Sequence, residues 1–420
     1  MAMPAMAGEV LTVDEAVRRA LENSVQMQAA RERREAAADS ARSARGQLLP
    51  TLALSEELQH FSGPFSAKLQ LPISPVPLEF NIRDQNTNAF VASARQPVLG
   101  LLKLSQDFVA ANANSDAAQS QLESFERATR EAIETSYLRL FEARAAKEVA
   151  HVSQEQLGEQ RTVSQARVEA GAMTTADVLR VQVARANIQQ QELQAGVQES
   201  SARIQLLTLL NVPLDSDLEF AEPESLQKEA EQAPPALAEA TSAALEQRAD
   251  LKQQLHLLDS AEATSRSRLF ALLPDIDLTA AYLRVDGQAL AEKDSAYIGV
   301  RASWPIWVWG AQWYAHRAAL HQAQAARLTN EDATRQVRGE VTGRMDQLRA
   351  AASAIDVAKT ALTSAEEAYR VTAAVVQAGS GTTTDLLDAQ SALTQARLNL
   401  VRSKYQRALS RVQLRRAMGG

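Results

Sequence analysis

Two stretches, AGAMTTADVL at residues 170–179 and AGSGTTTDLL at residues 378–387, read alike 208 positions apart. In each, a small residue and a glycine end a long run poor in helix breakers, and two threonines followed by an aspartate start the next run. Working outward, ARQPVLG at 94–100 aligns with ASWPIWV at 302–308 at the same spacing. Further upstream the spacing becomes 224, with ALENS at 20–24 against ALEQR at 244–248 and QLLP at 47–50 against ALLP at 271–274. The chain is therefore two copies of one unit, and the first copy holds 16 additional residues between Pro50 and Pro97. The copies span 1–210 and 236–420, joined by the proline- and acid-rich segment 211–235.

Composition narrows the class. Aromatic residues make up 5% of the 420, Gly and Pro are sparse, and Ala, Gln, Glu, Arg and Leu fill long tracts, as in long or coiled helices. A net charge of −7 leaves no basic footprint for nucleic acid. The chain has no cysteine, which excludes a disulfide framework, a thiolate metal site, a thiol nucleophile and a lipid-anchored N-terminal Cys. No run of 18 apolar residues is present for a membrane-spanning helix, and the opening MAMPAMAGEV shows no apolar core for a signal peptide.

The helices follow from punctuation. Thr12 with Glu15 three residues on is a capping box that opens a helix over 12–45. From Leu99 to Ala170 there is no proline and one interior glycine, Gly158; Gly171 ends the run and Thr174, Thr175 and Asp177 begin a helix to about Leu210. The second copy repeats this with helices over 236–270, 310–378 and 382–418, broken at Gly379 to Gly381. Apolar residues recur every three or four positions, as at Ile355, Leu362, Tyr369 and Val376. A helix of about 70 residues is roughly 100 Å long, far beyond the globular norm. In each copy the two short helices together match one long one, so they stack end to end beside it.

Between the first short helix and the long helix the period changes to two. Leu52, Leu54 and Leu58 alternate with Ala53, Ser55 and Gln59, and Phe90, Ala92 and Ala94 with Val91, Ser93 and Arg95. In the second copy Ile276, Leu278, Ala280 and Tyr282 alternate with Asp277, Thr279, Ala281 and Leu283, while Ile298, Val300, Ala302 and Trp304 alternate with Tyr297, Gly299, Arg301 and Ser303. The pattern predicts strands at about 50–60, 87–96, 274–285 and 295–304, each near the length that crosses a bilayer at a tilt. Four strands do not close a barrel, so they need further subunits or a soluble partner surface. Pro97 and Pro305 mark the turn from strand to helix in the two copies. All four tryptophans, Trp304, Trp307, Trp309 and Trp313, cluster at that turn in the second copy with Tyr314 beside them. This is either a membrane-interface belt or a packed core cluster, and the adjacent lipid-length strands favour the belt. The extra residues of the first copy, FSGPFSAKLQLPISPVPLEF at 61–80, are expected as a long loop at the tip of the barrel.

Duplicated units of helix, two strands, long helix and helix, with the AG…TTxD breaks, an LLP before each first strand and a proline after each second strand, resemble the TolC-like outer-membrane factor family. The resemblance covers essentially the whole chain. It implies an α+β membrane protein: a homotrimer whose twelve strands, four per chain, close one β-barrel in the outer membrane of a Gram-negative bacterium. The helices then continue as a periplasmic α-barrel, with 211–235 in an equatorial belt. Such proteins are exit ducts of tripartite efflux pumps or type I secretion, joined through a periplasmic adaptor to an inner-membrane transporter. No cofactor is implied.

The resemblance also places a periplasmic gate at the helical tips, closed by acidic residues just after the break. Asp385 and Asp388 match that motif, and Asp177 is the first-copy acid. A tyrosine and an arginine that lock this tip in some members are replaced here by Val376 and Gly381, while Arg180 stands at the first-copy position of Asp388 and offers a link to an acid. Carboxylates gathered round a threefold bore repel one another and titrate high; the same aspartates also suit simple helix capping. The tips at Gly171, Ala172, Gly379 and Ser380 are the expected adaptor contacts. The five histidines are scattered, and His316 and His321, five apart, lie on different helix faces, unlike a zinc-binding pair. Neither a phosphate loop nor a nucleophile elbow is present, so the sequence offers no catalytic site. The competing reading is a soluble coiled-coil scaffold whose strands form small capping sheets.

Overall fold

The structure, a computed structural model, describes residues 10–70, 72–73 and 76–420. In chain order its elements are β1 (Val10–Leu11), α1 (Val13–Asn23), α2 (Val25–Gly46), β2 (Thr51–His60), β3 (Phe65–Leu69), β4 (Leu78–Pro97), α3 (Gly100–Glu169), α4 (Thr175–Leu210), β5 (Glu219–Phe220), α5 (Glu224–Glu231), α6 (Leu237–Gln247), α7 (Ala249–Phe270), β6 (Asp275–Gln288), β7 (Asp294–Ser303), α8 (Ala311–Gln377) and α9 (Thr383–Ala417). At 1.5 Å per residue, α3 with 70 residues and α8 with 67 are each about 100 Å long. The chain groups into two compact units, each drawing on both copies. One holds the residues up to Glu32 with Ser120–Leu251 and Asp332–Gly420; the other holds Arg33–Gln119 and Lys252–Glu331.

Both predicted first helices are broken. The expected helix over 12–45 stops at Ser24 and the one over 236–270 stops at Arg248, positions that correspond in the two copies. Each break residue is extended, at φ −63° and ψ 128° for Ser24 and φ −64° and ψ 122° for Arg248. Each still donates its N–H to an alanine carbonyl four residues back, Ala20 or Ala244. Neither break carries Gly or Pro, so local propensity does not announce it. The reason is tertiary: the Arg248 side chain is buried and donates to Asp250 at 2.7 Å, to Glu340 on α8 at 2.6 Å and to the Ala417 carbonyl at 3.3 Å.

In the first unit, β1 and β5 pair in parallel, Val10 with Glu219 and Leu11 with Phe220. Two residues per strand is little ladder, and a side chain reinforces it. The hydroxyl of buried Tyr137 on α3 lies 2.7 Å from the Leu11 carbonyl and 2.6 Å from the Ala221 carbonyl and shares its one proton between them. Burial pushes its pKa up, so it remains a donor. The main core gathers here, with Leu11, Val13, Ala16, Leu140, Leu206 and Leu210 closing round Tyr137, which stacks on Phe141 and meets Phe220 edge-on. Arg415 of α9 reaches both Glu134 of α3 and Glu229 of α5, tying three elements together beside that core.

In the second unit the long strands run in the order β2-β4-β6-β7, all antiparallel. The expected 61–80 loop is partly strand instead. Phe65–Leu69 pairs with Leu78–Arg83, so β4 is 20 residues long and the first hairpin outgrows the rest of the sheet. Residues 71, 74 and 75 of that segment lie outside the described ones, as do residues 1–9. A register shift between Arg83 and Asn88 bulges β4 against β6, where Gly287 has φ +85°; a Cβ there would stand 2.4 Å from the Asn86 carbonyl oxygen.

Candidate functional site at the strand turns and helical tips

The register of the sheet sorts its side chains into two faces. Leu52, Ala94, Ala280 and Ile298 lie in one cross-strand row, and Leu54, Ala92, Tyr282 and Ala296 in the next, so the apolar sets of all four strands share a face. Together they line an apolar groove of about 790 Å³. That face is bare in the protomer: Leu52 is 79% exposed and Ile298 80%. The other face carries Arg95, Asp277 and Arg301, with Arg95 donating to Asp277 at 2.5 Å and Arg301 directly opposite Asp277. Both outer strands, β2 and β7, are ten residues long and have one unpaired edge each.

At the strand-to-helix turns the copies differ. Pro97 ends β4 and is followed three residues later by Gly100, which starts α3. After Pro305 the second copy takes a longer turn, in which Trp309 and Gly310 are both left-handed, at φ +53° and +75°, and Ala311 donates to the Val308 carbonyl. A bulky residue in that region is strained. Trp304, Trp307, Trp309, Trp313 and Tyr314 are all exposed, Trp309 by 85%, with Trp307 and Trp309 edge-on at 5.7 Å. The core-cluster alternative for these tryptophans finds no support within the protomer. His316 is buried at the foot of the patch, near Trp313 and the Ser265 carbonyl.

The two helical tips share one local construction. Gly171 and Gly379, at φ +72° and +77°, end α3 and α8. Gly171 donates to Val168 and Ala172 to Arg167; Gly379 donates to Val376 and Ser380 to Val375. This paired bonding satisfies the last carbonyls of each long helix and needs a residue free to adopt positive φ. A capping box then opens the return helix. Thr174 and Asp177, and Thr382 and Asp385, exchange side-chain and backbone hydrogen bonds in the same way. Hydrogen bonds from the Thr174 and Thr382 hydroxyls and backbone amides hold both carboxylates below the ordinary aspartate range. That is the opposite of the direction expected from a ring of repelling acids, because within one protomer each aspartate answers to its own cap. Arg180 pairs with Asp177 at 3.2 Å, three residues away on α4. Asp388 is exposed one turn into α9 and pairs with none of the described residues. Between the hairpins, Arg167 donates to the Val376 carbonyl at 3.4 Å. At Gly381 an added Cβ would lie 2.8 Å from Val376 Cγ2, so a side chain here requires Val376 to shift.

The model of the outer membrane efflux protein family matches residues 16–212 and 240–420. The chain belongs to that family. Among solved structures, the outer membrane protein VceC from Vibrio cholerae is 18% identical over 97% of this chain and 96% of its own, with a TM-score of 0.83. The CmeC outer membrane channel of Campylobacter jejuni gives 17% identity, 97% and 85% coverage and a TM-score of 0.81. The Neisseria gonorrhoeae MtrE outer membrane channel, solved in its open state, gives 19%, 100%, 94% and 0.79. At these identities the likeness concerns the fold. No curated protein matches the chain. As an outer membrane efflux protein the chain forms an outer-membrane exit duct, and its sheet of four long strands and its long helical hairpins are the fold of such channels. No helix among the described residues is long and apolar enough to cross a membrane; the bare apolar face of this efflux protein lies on strands.

Proposed function

We infer that three copies close one twelve-stranded barrel in the outer membrane and that the assembly works as a passive duct, fed through a periplasmic adaptor by an inner-membrane transporter that supplies the energy. One observation carries the reading: four antiparallel strands with an apolar face open to solvent and two free edges of ten residues each. An exposed edge is an aggregation hazard unless it is paired, and an exposed apolar face of this size calls for lipid. Pairing β2 of one protomer with β7 of the next closes both free edges at once and leaves the apolar face to the lipid. Trp304, Trp307, Trp309, Trp313 and Tyr314 then lie where the barrel leaves the lipid, which suits rings that are apolar at one end and polar at the other. Pro97 and Pro305 turn the chain from strand to helix. The periplasmic gate is formed at the helical tips by Asp177, Arg180, Asp385 and Asp388, and Gly171, Ala172, Gly379 and Ser380 meet the adaptor.

Mass measurement of the purified protein by light scattering in detergent tests the assembly. Three times the 45.6 kDa chain with a detergent belt is expected; a monomer stable without detergent refutes it and leaves the coiled-coil scaffold. For the gate, Asp388→Asn is the clean probe, since Asp385 also caps α9. Higher conductance of the isolated trimer is expected, and unchanged conductance removes Asp388 from the gate.

A further inference from the structure

α2 and α7 end, and α3 and α8 begin, where the helices join the sheet, and the charge there is lopsided. Residues 40–50, 98–106, 263–274 and 305–330 hold seven Lys and Arg and no acid, although 51 acids in 420 residues would put about seven in those 58 positions. Three acids just beyond, Asp39, Asp107 and Glu262, pair with Arg42, Lys103 and Arg327. Arg45, Arg266, Arg268 and Arg317 remain exposed and pair with none of the described residues. Free arginines gathered at one end of a chain of net charge −7 call for an anionic partner outside the protomer.

Helix geometry sorts these arginines. On α7, buried Ser265 meets His316 of α8 through its carbonyl, and buried Ser267 donates to Asp107 of α3. Two faces of α7 between those contacts stay open. At 3.6 residues per turn, Arg266 and Leu269 share one of them, continued by exposed Leu273 in the turn that follows, and Arg268 stands on the other. On α8, Arg317 lies one turn after Trp313 and one before Leu320, and all three are exposed. The contact between Ser265 and His316 sets Arg266 and Arg317 at the same level on adjacent helices. The first copy lacks this arrangement, because Val109 stands where the second copy has Arg317.

We propose that Arg266 and Arg317 hold the phosphate of an anionic phospholipid in the leaflet nearer the helices, with Trp313 and Leu269 against the start of its acyl chains. The inference rests on the membrane reading above and goes beyond it by naming the lipid class and the residues that select it. A guanidinium grips phosphate oxygens two at a time, and its stem can lie along apolar surface while the head reaches the headgroup. The apolar face of the sheet begins directly beyond the helix ends, so acyl chains and phosphate have adjoining places. A soluble anion would have no use for the exposed Trp and Leu beside the arginines.

All four tryptophans lie in residues 304–313, so lipid bound here reports through their emission. The full-length protein is reconstituted in phosphatidylcholine vesicles carrying increasing brominated phosphatidylglycerol, with brominated phosphatidylcholine as the neutral series. Stronger quenching by the anionic series is expected. Arg317→Gln should reduce that preference about fivefold and Arg266→Gln with Arg317→Gln about 25-fold, whereas Arg268→Gln, the same change of charge on the other face, should leave it. Arg317→Lys is expected to keep most of the preference, which separates lost charge from damaged packing. Equal quenching by the two series overturns the headgroup site and leaves the barrel in lipid. A preference that survives the double substitution, or that Arg268→Gln reduces as much, also overturns it. Quenching by neither series removes the turn from the membrane, and the lipid-facing reading falls with it. Should the double variant fail to assemble, Arg317→Gln alone decides.

Discussion

Replacing Tyr137 by phenylalanine deletes one oxygen from the centre of the first unit and leaves the ring packing against Phe141 and Phe220 intact. The loss falls on two carbonyls. Leu11 keeps a second donor, the Ala221 N–H at 2.9 Å, whereas the Ala221 carbonyl loses the hydroxyl at 2.6 Å. A buried carbonyl deprived of its partner costs about 1–3 kcal/mol, an upper bound for the half-buried Ala221. The β1–β5 pair holds only two residues per strand, so most of that cost is expected to appear as local opening rather than as global unfolding. The Ala221 amide, bonded across the pair to Leu11, is the reporter. Native-state hydrogen exchange at Ala221 is expected to accelerate about 5- to 150-fold in Tyr137→Phe, which is that free energy converted at about 1.4 kcal/mol per decade. Amides in the middle of α8 are expected to keep their rates. Exchange at Ala221 within twofold of the parent protein would refute the idea that the hydroxyl clamps this strand pair.

Other expectations concern the tips and the aromatic turn. Gly171→Ala and Gly379→Ala each force a side chain into the left-handed region and are expected to cost about 1–2 kcal/mol, seen as faster exchange at Ala172 and Ser380. Gly46→Ala, with open space around it and ordinary φ, should be neutral, and equal costs at all three positions would contradict the argument. The folded pKa values of Asp177 and Asp385 lie below their unfolded values, so their capping contribution is complete above about pH 4 and is lost as pH falls through the folded values. Tip amides are therefore expected to exchange faster below pH 4 than a pH-corrected control, and Thr174→Val with Thr382→Val, which removes the hydroxyl bonds and keeps the backbone ones, should weaken that dependence. Finally, all tryptophan emission comes from residues 304–313. Brominated lipid is expected to quench most of it and aqueous iodide little; the reverse pattern would remove the aromatic patch from the membrane interface.

What was legible in the sequence was what local energetics decide. The tips are a clear case: AG followed by TTxD holds a glycine for the left-handed end of one helix and a threonine and aspartate for the cap of the next, all within ten residues of chain. Strand alternation was equally readable, and because side chains in a strand alternate with period two, knowing the polar and apolar sets was enough to know which residues share a face. The lengths of α3 and α8 followed from an absence of breakers over some 70 residues.

Other features arose only in the folded chain. The bends at Ser24 and Arg248 occur in sequence that would otherwise continue as helix, and partners far along the chain, Glu340 and Ala417, hold Arg248 where it is. β1 and β5 are too short for any periodicity to mark; more than 200 residues separate them, and the Tyr137 hydroxyl is their common anchor. The hairpin at 65–83 read as loop because its prolines and mixed polarity masked a pairing that exists through backbone bonds to β4. The sequence determined two copies of one unit, since duplication, capping and alternation act over a few residues. Tertiary structure decided that the two copies are not equivalent. Gln390 and Thr394 on α9 are buried against Gln156 and Ser153 of α3, while their counterparts 208 positions earlier, Gln182 and Ala186 on α4, are exposed, because burial depends on which long-range neighbour arrives and not on the helix that waits for it.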